Sequence, residues 1–346
     1  MTPALTLQKD LDFLSARVHG RRSRLAEGAN LDELCRIRTV PELARRLYPG
    51  SNILFALDLQ RHMVRELVRE LSELAAGLEG NDAAFMSWQC VRFQVENLKV
   101  LARGFANGAA LDLLRPHLVE LPDGLELDEA PLANAPSFEA FAAAAPPGHL
   151  RESLESAREA YLAQPRPFIL ETALDRGYLR ELLRRAGRLG GGEREDVLRL
   201  AGQEAGIFNL MLAVRGVFHY GLKPELLAGL RVPGSALSAG RFAAMLSAGD
   251  VKSAAAPAVG TVLDAAPAAA DAALVETMAW NRFLRLANKT FRNSHMGAGA
   301  AIGYAAIRRV ELANLITLSE GMRVGLDPRI LRSRLIPRSP AEAADV

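Results

Sequence analysis

Three stretches of this chain repeat one pattern, and that self-similarity constrains the fold more than any single motif. Glu96-Asn97-Leu98-Lys99-Val100-Leu101-Ala102-Arg103-Gly104 aligns with Asn209-Leu210-Met211-Leu212-Ala213-Val214-Arg215-Gly216 and with Asn314-Leu315-Ile316-Thr317-Leu318-Ser319-Glu320-Gly321; in each, Asn-Leu precedes a Gly by seven positions. Downstream, Gly221-Leu222-Lys223-Pro224-Glu225-Leu226-Leu227 resembles Gly325-Leu326-Asp327-Pro328-Arg329-Ile330-Leu331, while the first copy keeps Gly108 and Leu111. Upstream, Glu171-Thr172 parallels Glu276-Thr277 at an equal distance from the Asn, since 209 − 171 and 314 − 276 both give 38. Leu57-Asp58 takes the place of Leu174-Asp175 in the first copy, with extra residues around Gly77 to Asp82. Such a chain is one module folded three times.

The module is helical. In 54–78, Leu57, Val64, Leu67, Val68, Leu71 and Leu74 recur at three- and four-residue steps with Arg and Glu between, the spacing of one helix face. Similar patterns fill 85–102, 150–162, 168–189, 194–214, 272–291 and 298–318. Aromatics make up only 6% of the chain, and the dominance of Ala, Leu, Arg and Glu suits packed helices. The expected fold is all-α, with three similar helical units at 1–120, 121–230 and 231–338 and a frayed tail at 339–346. Short opening helices are expected at 41–47, 137–145 and 238–247, with Thr39, Ser137 and Ser238 as N-caps. Gly104, Gly216 and Gly321 are read as left-handed C-caps, and Pro224 and Pro328 as first-turn prolines. The Ala/Pro-rich segment 254–270 reads as a surface insert.

Several function classes fall away. A formal charge of +2, mixed along the chain, is too small for a nucleic-acid partner. Cys35 and Cys90 build no disulfide framework and suit a reducing, cytoplasmic compartment. No signal peptide or uninterrupted apolar run of membrane-spanning length is evident. The histidines are scattered without ligand spacing, so no metal site is expected. Gly297, Gly299 and Gly303 lack the βαβ setting of a dinucleotide fingerprint, Gly190-Gly191-Gly192 lacks the Lys of a phosphate loop, and Asp123, Asp128 and Glu129 read as a solvated loop. No catalytic residue and no cofactor are expected. Asn97, Asn209 and Asn314 sit in helices that give Asn no intrinsic advantage, so each is expected to tie its helix to a neighbour. Arg103 and Arg215 end their helices, where a cation suits the dipole, and Arg17, Arg21, Arg22 and Arg24 form the densest basic cluster.

Four places carry a family resemblance: Phe13 through Arg21 with its Ala-Arg-Val core; Glu96-Asn97-Leu98-Lys99 to Gly104; Phe208-Asn209-Leu210 to Gly216 with Gly221-Leu222; and Tyr304 through Arg309, Glu311, Asn314 and Leu315 to Gly321. Three Asn-Leu helices spaced by 112 (209 − 97) and 105 (314 − 209) complete the pattern. It resembles the C subunit of V/A-type rotary ATPases, the counterpart of the eukaryotic d subunit. Ile316 where the family often has a basic residue, Val310 in place of an acid, and the Ala/Pro segment depart from it. The resemblance implies a pseudo-threefold funnel, one copy per complex, on the cytoplasmic face of the membrane. It would couple the axle, the D and F subunits, to the membrane rotor ring of proteolipid subunits. Arg17, Arg21, Arg103 and Arg215 are its expected partner contacts, and Leu98, Leu210 and Leu315 belong with the Asn and Gly residues to a structural signature. Two other readings remain from the residues alone: a free-standing helical-repeat adaptor, and an all-α enzyme acting on a small molecule.

Overall fold

The computed structural model describes residues 11–294 and 297–337; the expected tail at 339–346 lies outside them. Among the described residues there are helices and no strands. An N-terminal arm comprises α1 (Leu11–Arg22), α2 (Ala29–Arg36) and α3 (Val40–Leu47). The first long pair is α4 (Ala56–Ala76) with α5 (Gly80–Asn107), closed by the short α6 (Leu111–Leu114). Next come α7 (Glu129–Ala133), α8 (Phe138–Ala144), α9 (His149–Ser156) and α10 (Arg158–Ala163), leading to the pair α11 (Pro167–Ala186) and α12 (Arg194–Phe218) with α13 (Pro224–Leu230). Then α14 (Ala239–Leu246) and α15 (Val251–Ala255) lead to α16 (Ala272–Asn293) and α17 (Ala298–Arg323), followed by α18 (Pro328–Ser333).

The six long helices form a closed ring. Within each pair the partners pack on each other, α5 packs on α11, α12 on α16, and α17 returns to α4. Neighbouring pairs run antiparallel: Arg103 lies by Glu171 and Asn81 by Arg188, Arg215 by Glu276 and Asp196 by Lys289, Glu320 by Gln60 and Tyr304 by Glu70. The C-terminal ends of α5, α12 and α17 therefore share one end of the ring. Their sequences explain their central place. On α4, the buried Leu59, Met63, Leu67, Leu71 and Leu74 make a single stripe, whereas most of α12 and α17 is buried, including unbroken runs such as Leu200–Ile207, which suits a helix surrounded by others. By length and composition α12 is apolar enough to cross a membrane, but 83% of its most apolar window is buried inside the ring.

The repeated Asn and Gly fix the ends of these central helices. The side chain of Asn97 accepts from Val119 N at 2.9 Å and donates to Val119 O at 2.7 Å. Asn209 grips Val232 in the same two-point way, at 2.8 Å both times, and Asn314 grips Ile336, accepting from its N at 2.9 Å. A carboxamide, with donor and acceptor side by side, matches the N–H and C=O of one extended residue. Each clamp holds the strand of chain that follows the short helix α6, α13 or α18.

Gly104, Gly216 and Gly321 correct the sequence expectation: they lie inside their helices, not at left-handed caps. The left-handed positions are Gly108 (φ 65°), Gly221 (φ 61°) and Gly325 (φ 70°). At the three inner glycines, a Cβ would collide with Leu114, Leu227 and Leu331, the leucines by which α6, α13 and α18 dock on the helices before them. Each inner glycine also accepts a backbone bond from the residue just beyond the left-handed one: Ala109, Leu222 and Leu326, at 2.9, 2.8 and 2.9 Å. Removing the Cβ lets the chain fold back this closely.

Three further expectations change. Ser137 and Ser238 accept from Ala140 N and Arg241 N as N-caps, but Thr39 makes no side-chain cap bond. The pattern at 150–162 breaks at Ala157 into α9 and α10. In segment 254–270, expected on the surface, Ala254, Ala255, Ala258, Val262 and Leu263 are buried. Ala and Pro there permit a tight path against α12, where Gln203 donates to Val262 O at 2.9 Å.

Candidate functional site

The faces of α5, α12 and α17 turned toward the ring centre can be read by counting from each clamp Asn. Five residues before it stand Arg92, Glu204 and Arg309, one from each copy. They meet. Arg92 Nη1 lies 2.9 Å from Glu204 Oε1, Arg309 Nη1 lies 3.2 Å from Glu204 Oε2, and Arg309 Nη2 pairs with Glu204 Oε1 as well. Gln89 accepts from Arg309 at 3.0 Å. Burial alone would raise the Glu204 pKa, but the charges of Arg309 and then Arg92 outweigh it and hold the carboxyl below its ordinary value. The triad pins the three central helices together.

Above this floor a recess opens toward the C-terminal ends of the same helices. A cavity of about 330 Å³ is bounded by Arg92, Lys99, Asp175, Glu204, Met211 and Trp280 among others. A second of about 200 Å³, sharing Arg92 and Trp280, runs against Arg309, Val310, Ala313 and Ile316 of α17. From Glu204 to Arg215 is eleven residues, about 16 Å of helix rise.

The walls differ in chemistry. On α5 the lining is Arg92 and Lys99, with Phe93 on the side of α17; Lys99 lies 2.9 Å from Glu96 and 3.3 Å from Asp175. Burial would lower the Lys99 pKa, yet Asp175 and Glu96 raise it; for Asp175, burial outweighs Lys99 and the pKa is raised. On α12 the lining is Phe208, Met211 and Leu212, and on α17 Ala313 and Ile316. At the rim, six residues after each Asn, stand Arg103, Arg215 and Glu320. Each reaches the next pair's outer helix: Arg103 to Glu171 (3.4 Å), Arg215 to Glu276 (2.6 Å), and Glu320 to Gln60 (2.6 Å). The Arg103 and Arg215 side chains remain 51% and 48% exposed.

The structure thus brings Arg103 and Arg215 to one rim and sets Arg17 and Arg21 apart from them. Arg17 pairs with Glu73, and Arg21 with Glu73 (2.8 Å) and Glu70 (3.1 Å), in the C-terminal half of α4 and away from that rim. The Asn, Leu and Gly of the signature are buried and hold the helix ends rather than line the recess. Of the floor triad only Arg309 falls in a stretch that carried the family resemblance, although the constant offset of all three from the repeated Asn is visible in the sequence. Among the described residues, no group of three or more His, Cys, Asp or Glu side chains is placed to hold a metal ion.

No curated protein matches the chain. A family profile described as ATP synthase (C/AC39) subunit matches residues 14–334, a span that takes in the whole ring, the N-terminal arm from Leu14 and all three clamp asparagines. The chain belongs to the ATP synthase C/AC39 subunit family, a structural component of V/A-type rotary ATPases.

Proposed function

We propose that this chain is the non-catalytic socket between the D–F axle and the proteolipid ring of its rotary ATPase, with one copy per complex on the cytoplasmic face of the membrane. Its three helical units, 1–120, 121–230 and 231–338, would form a funnel whose mouth is the end bearing Arg103, Arg215 and Glu320. The observation that supports this most is the recess above the Arg92–Glu204–Arg309 floor, lined by residues of five of the ring's six long helices, α5, α11, α12, α16 and α17. A seat of that kind suits the end of a helical shaft. The opposite end of the ring, with the turns at 77–79 and 187–193, is left to face the membrane subunits. ATP hydrolysis or synthesis takes place in other subunits.

Arg103 and Arg215 are assigned to axle contact. Their pairs with Glu171 and Glu276 are half-exposed, and exposed pairs of this kind are worth little to stability, so they can be exchanged for partner contacts at small cost. The test is Arg103→Ala with Arg215→Ala in the assembled complex. Copurification of the D and F subunits is expected to fall about tenfold or more, the loss expected from two interfacial arginines, while helicity stays unchanged. Undiminished copurification would remove both residues from the interface. If the wild-type chain, tagged and drawn from membranes, brings down neither axle nor ring subunits, the reading as a free-standing adaptor takes its place.

A further inference from the structure

Five of the six contacts that close the ring join helices that follow one another among the long helices of the chain. The sixth, α17 against α4, joins the two ends of the chain and is held by side chains alone. It is a polar seam. Tyr304 donates to Glu70 at 2.7 Å, Arg308 lies 3.2 Å from Glu70 and 3.6 Å from Glu66, and Gln60 donates to Ser319 (2.9 Å) and Glu320 (2.6 Å). Beside these bonds a half-open cavity of about 410 Å³ lies between the seam and the N-terminal arm, lined by Arg21, Tyr48, Glu66, Glu70, Tyr304 and Arg308 among others. The arm therefore covers this side of the seam without filling it, and forgoes part of the close packing that would hold it there.

The N-terminal arm lies across this seam. Helices α1 and α3 pack on α17, and α2 packs on α18. The arm buries Val18, Leu31, Leu43 and Ala44 in the core, and its polar ties are Arg17 and Arg21 to Glu73 and Arg21 to Glu70 on the α4 side, Ala26 N to Glu311 at 2.6 Å on the α17 side, Arg22 to Asn288 at 2.8 Å, and Arg332 to Asp32 at 2.6 Å. The polar ties respond to salt, so salt weakens the arm's hold on the seam without touching its apolar contacts.

We propose that the α17–α4 seam is the ring's opening and that α1–α3 form its latch, so that an inserted partner is admitted and released by parting the ring there. The opening itself follows from the connectivity and the contacts; what it admits rests on the socket reading above.

Hydrogen exchange of the full chain, read by mass spectrometry, tests it. In Glu70→Gln, amides of α1, α4 and α17 are expected to exchange about tenfold faster or more, since the substitution removes the charge that Tyr304, Arg308 and Arg21 share, with α11 and α12 unchanged. An equal rise in all five helices, or no rise in any, overturns the proposal. Should Glu70→Gln lose its helicity by circular dichroism, wild-type protein moved to about 1 M salt carries the same comparison between the two groups of helices. The measurement needs no axle. A failed D–F copurification therefore sinks the socket and leaves the seam standing, while uniform exchange does the reverse.

Discussion

Glu204 occupies the position that Arg92 and Arg309 occupy in the other copies, and that single divergence turns three equivalent positions into a bonded pin. Replacing it with Gln leaves two mostly buried guanidinium groups without their counter-charge, which costs about 3 kcal/mol when a buried pair is broken from one side. Urea denaturation of Glu204→Gln is expected to show that loss; a midpoint equal to wild type would mean that the pin holds nothing. The same residue carries a pH dependence. Its folded carboxyl is held below the ordinary 4.5, so its contribution is present above that value and fades as the pH falls through the depressed one. Wild-type stability is therefore expected to drop more steeply than that of Glu204→Gln between about pH 5 and pH 3. Gly216 is a second sensitive point. Gly216→Ala sets a methyl against Leu227 and is expected to destabilise by about 1–3 kcal/mol through overpacking, and Leu227→Ala in the same chain should recover part of it, as a double-mutant cycle would show.

The long pairs and the short helices after them were legible as elements because their causes are local. Apolar spacing marks α4 and α16, Pro224 and Pro328 mark the starts of α13 and α18, and Ser137 and Ser238 cap where their chemistry allows. Local reasoning misplaced the inner glycines, since a Gly near a helix end has two uses. A left-handed turn can be inferred from nearby sequence, but a missing Cβ that admits Leu114, Leu227 or Leu331 shows itself only in packing. Segment 254–270 was misread for a related reason: alanine is small enough to be buried as readily as exposed, and composition does not say which. The Asn clamps lie between these cases, because an unfavoured Asn inside a helix announces a bond without naming its partner. Asn209→Ala removes both bonds to Val232, leaving its buried N–H unpaired and its C=O with only the 3.4 Å bond from Arg231. The expected loss is about 2–3 kcal/mol, with exchange protection at the Val232 amide lost first; full protection there would refute the clamp.

At the scale of the molecule, the closing of the ring was beyond what spacing and periodicity carry, and only the family resemblance pointed to it. Contacts between α17 and α4 span more than 200 residues, as from Glu70 to Tyr304, and no periodicity records which distant faces meet. The repeat did foretell that equivalent residues would take equivalent places, and the recess was within reach of that logic, since its floor, walls and rim sit at fixed offsets from Asn97, Asn209 and Asn314. What the copies do not share is the chemistry at those offsets. Glu96 and Lys99 stand across from Phe208 and Met211 and from Ala313 and Ile316. A shaft seated in a bore of true threefold symmetry could settle at any of three angles and slip between them under load. In the socket proposed above, a bore whose α5 side is ionic where the other two are apolar would act as a keyway: it would distinguish the three angles, and a torque applied to the shaft would reach this subunit without backlash.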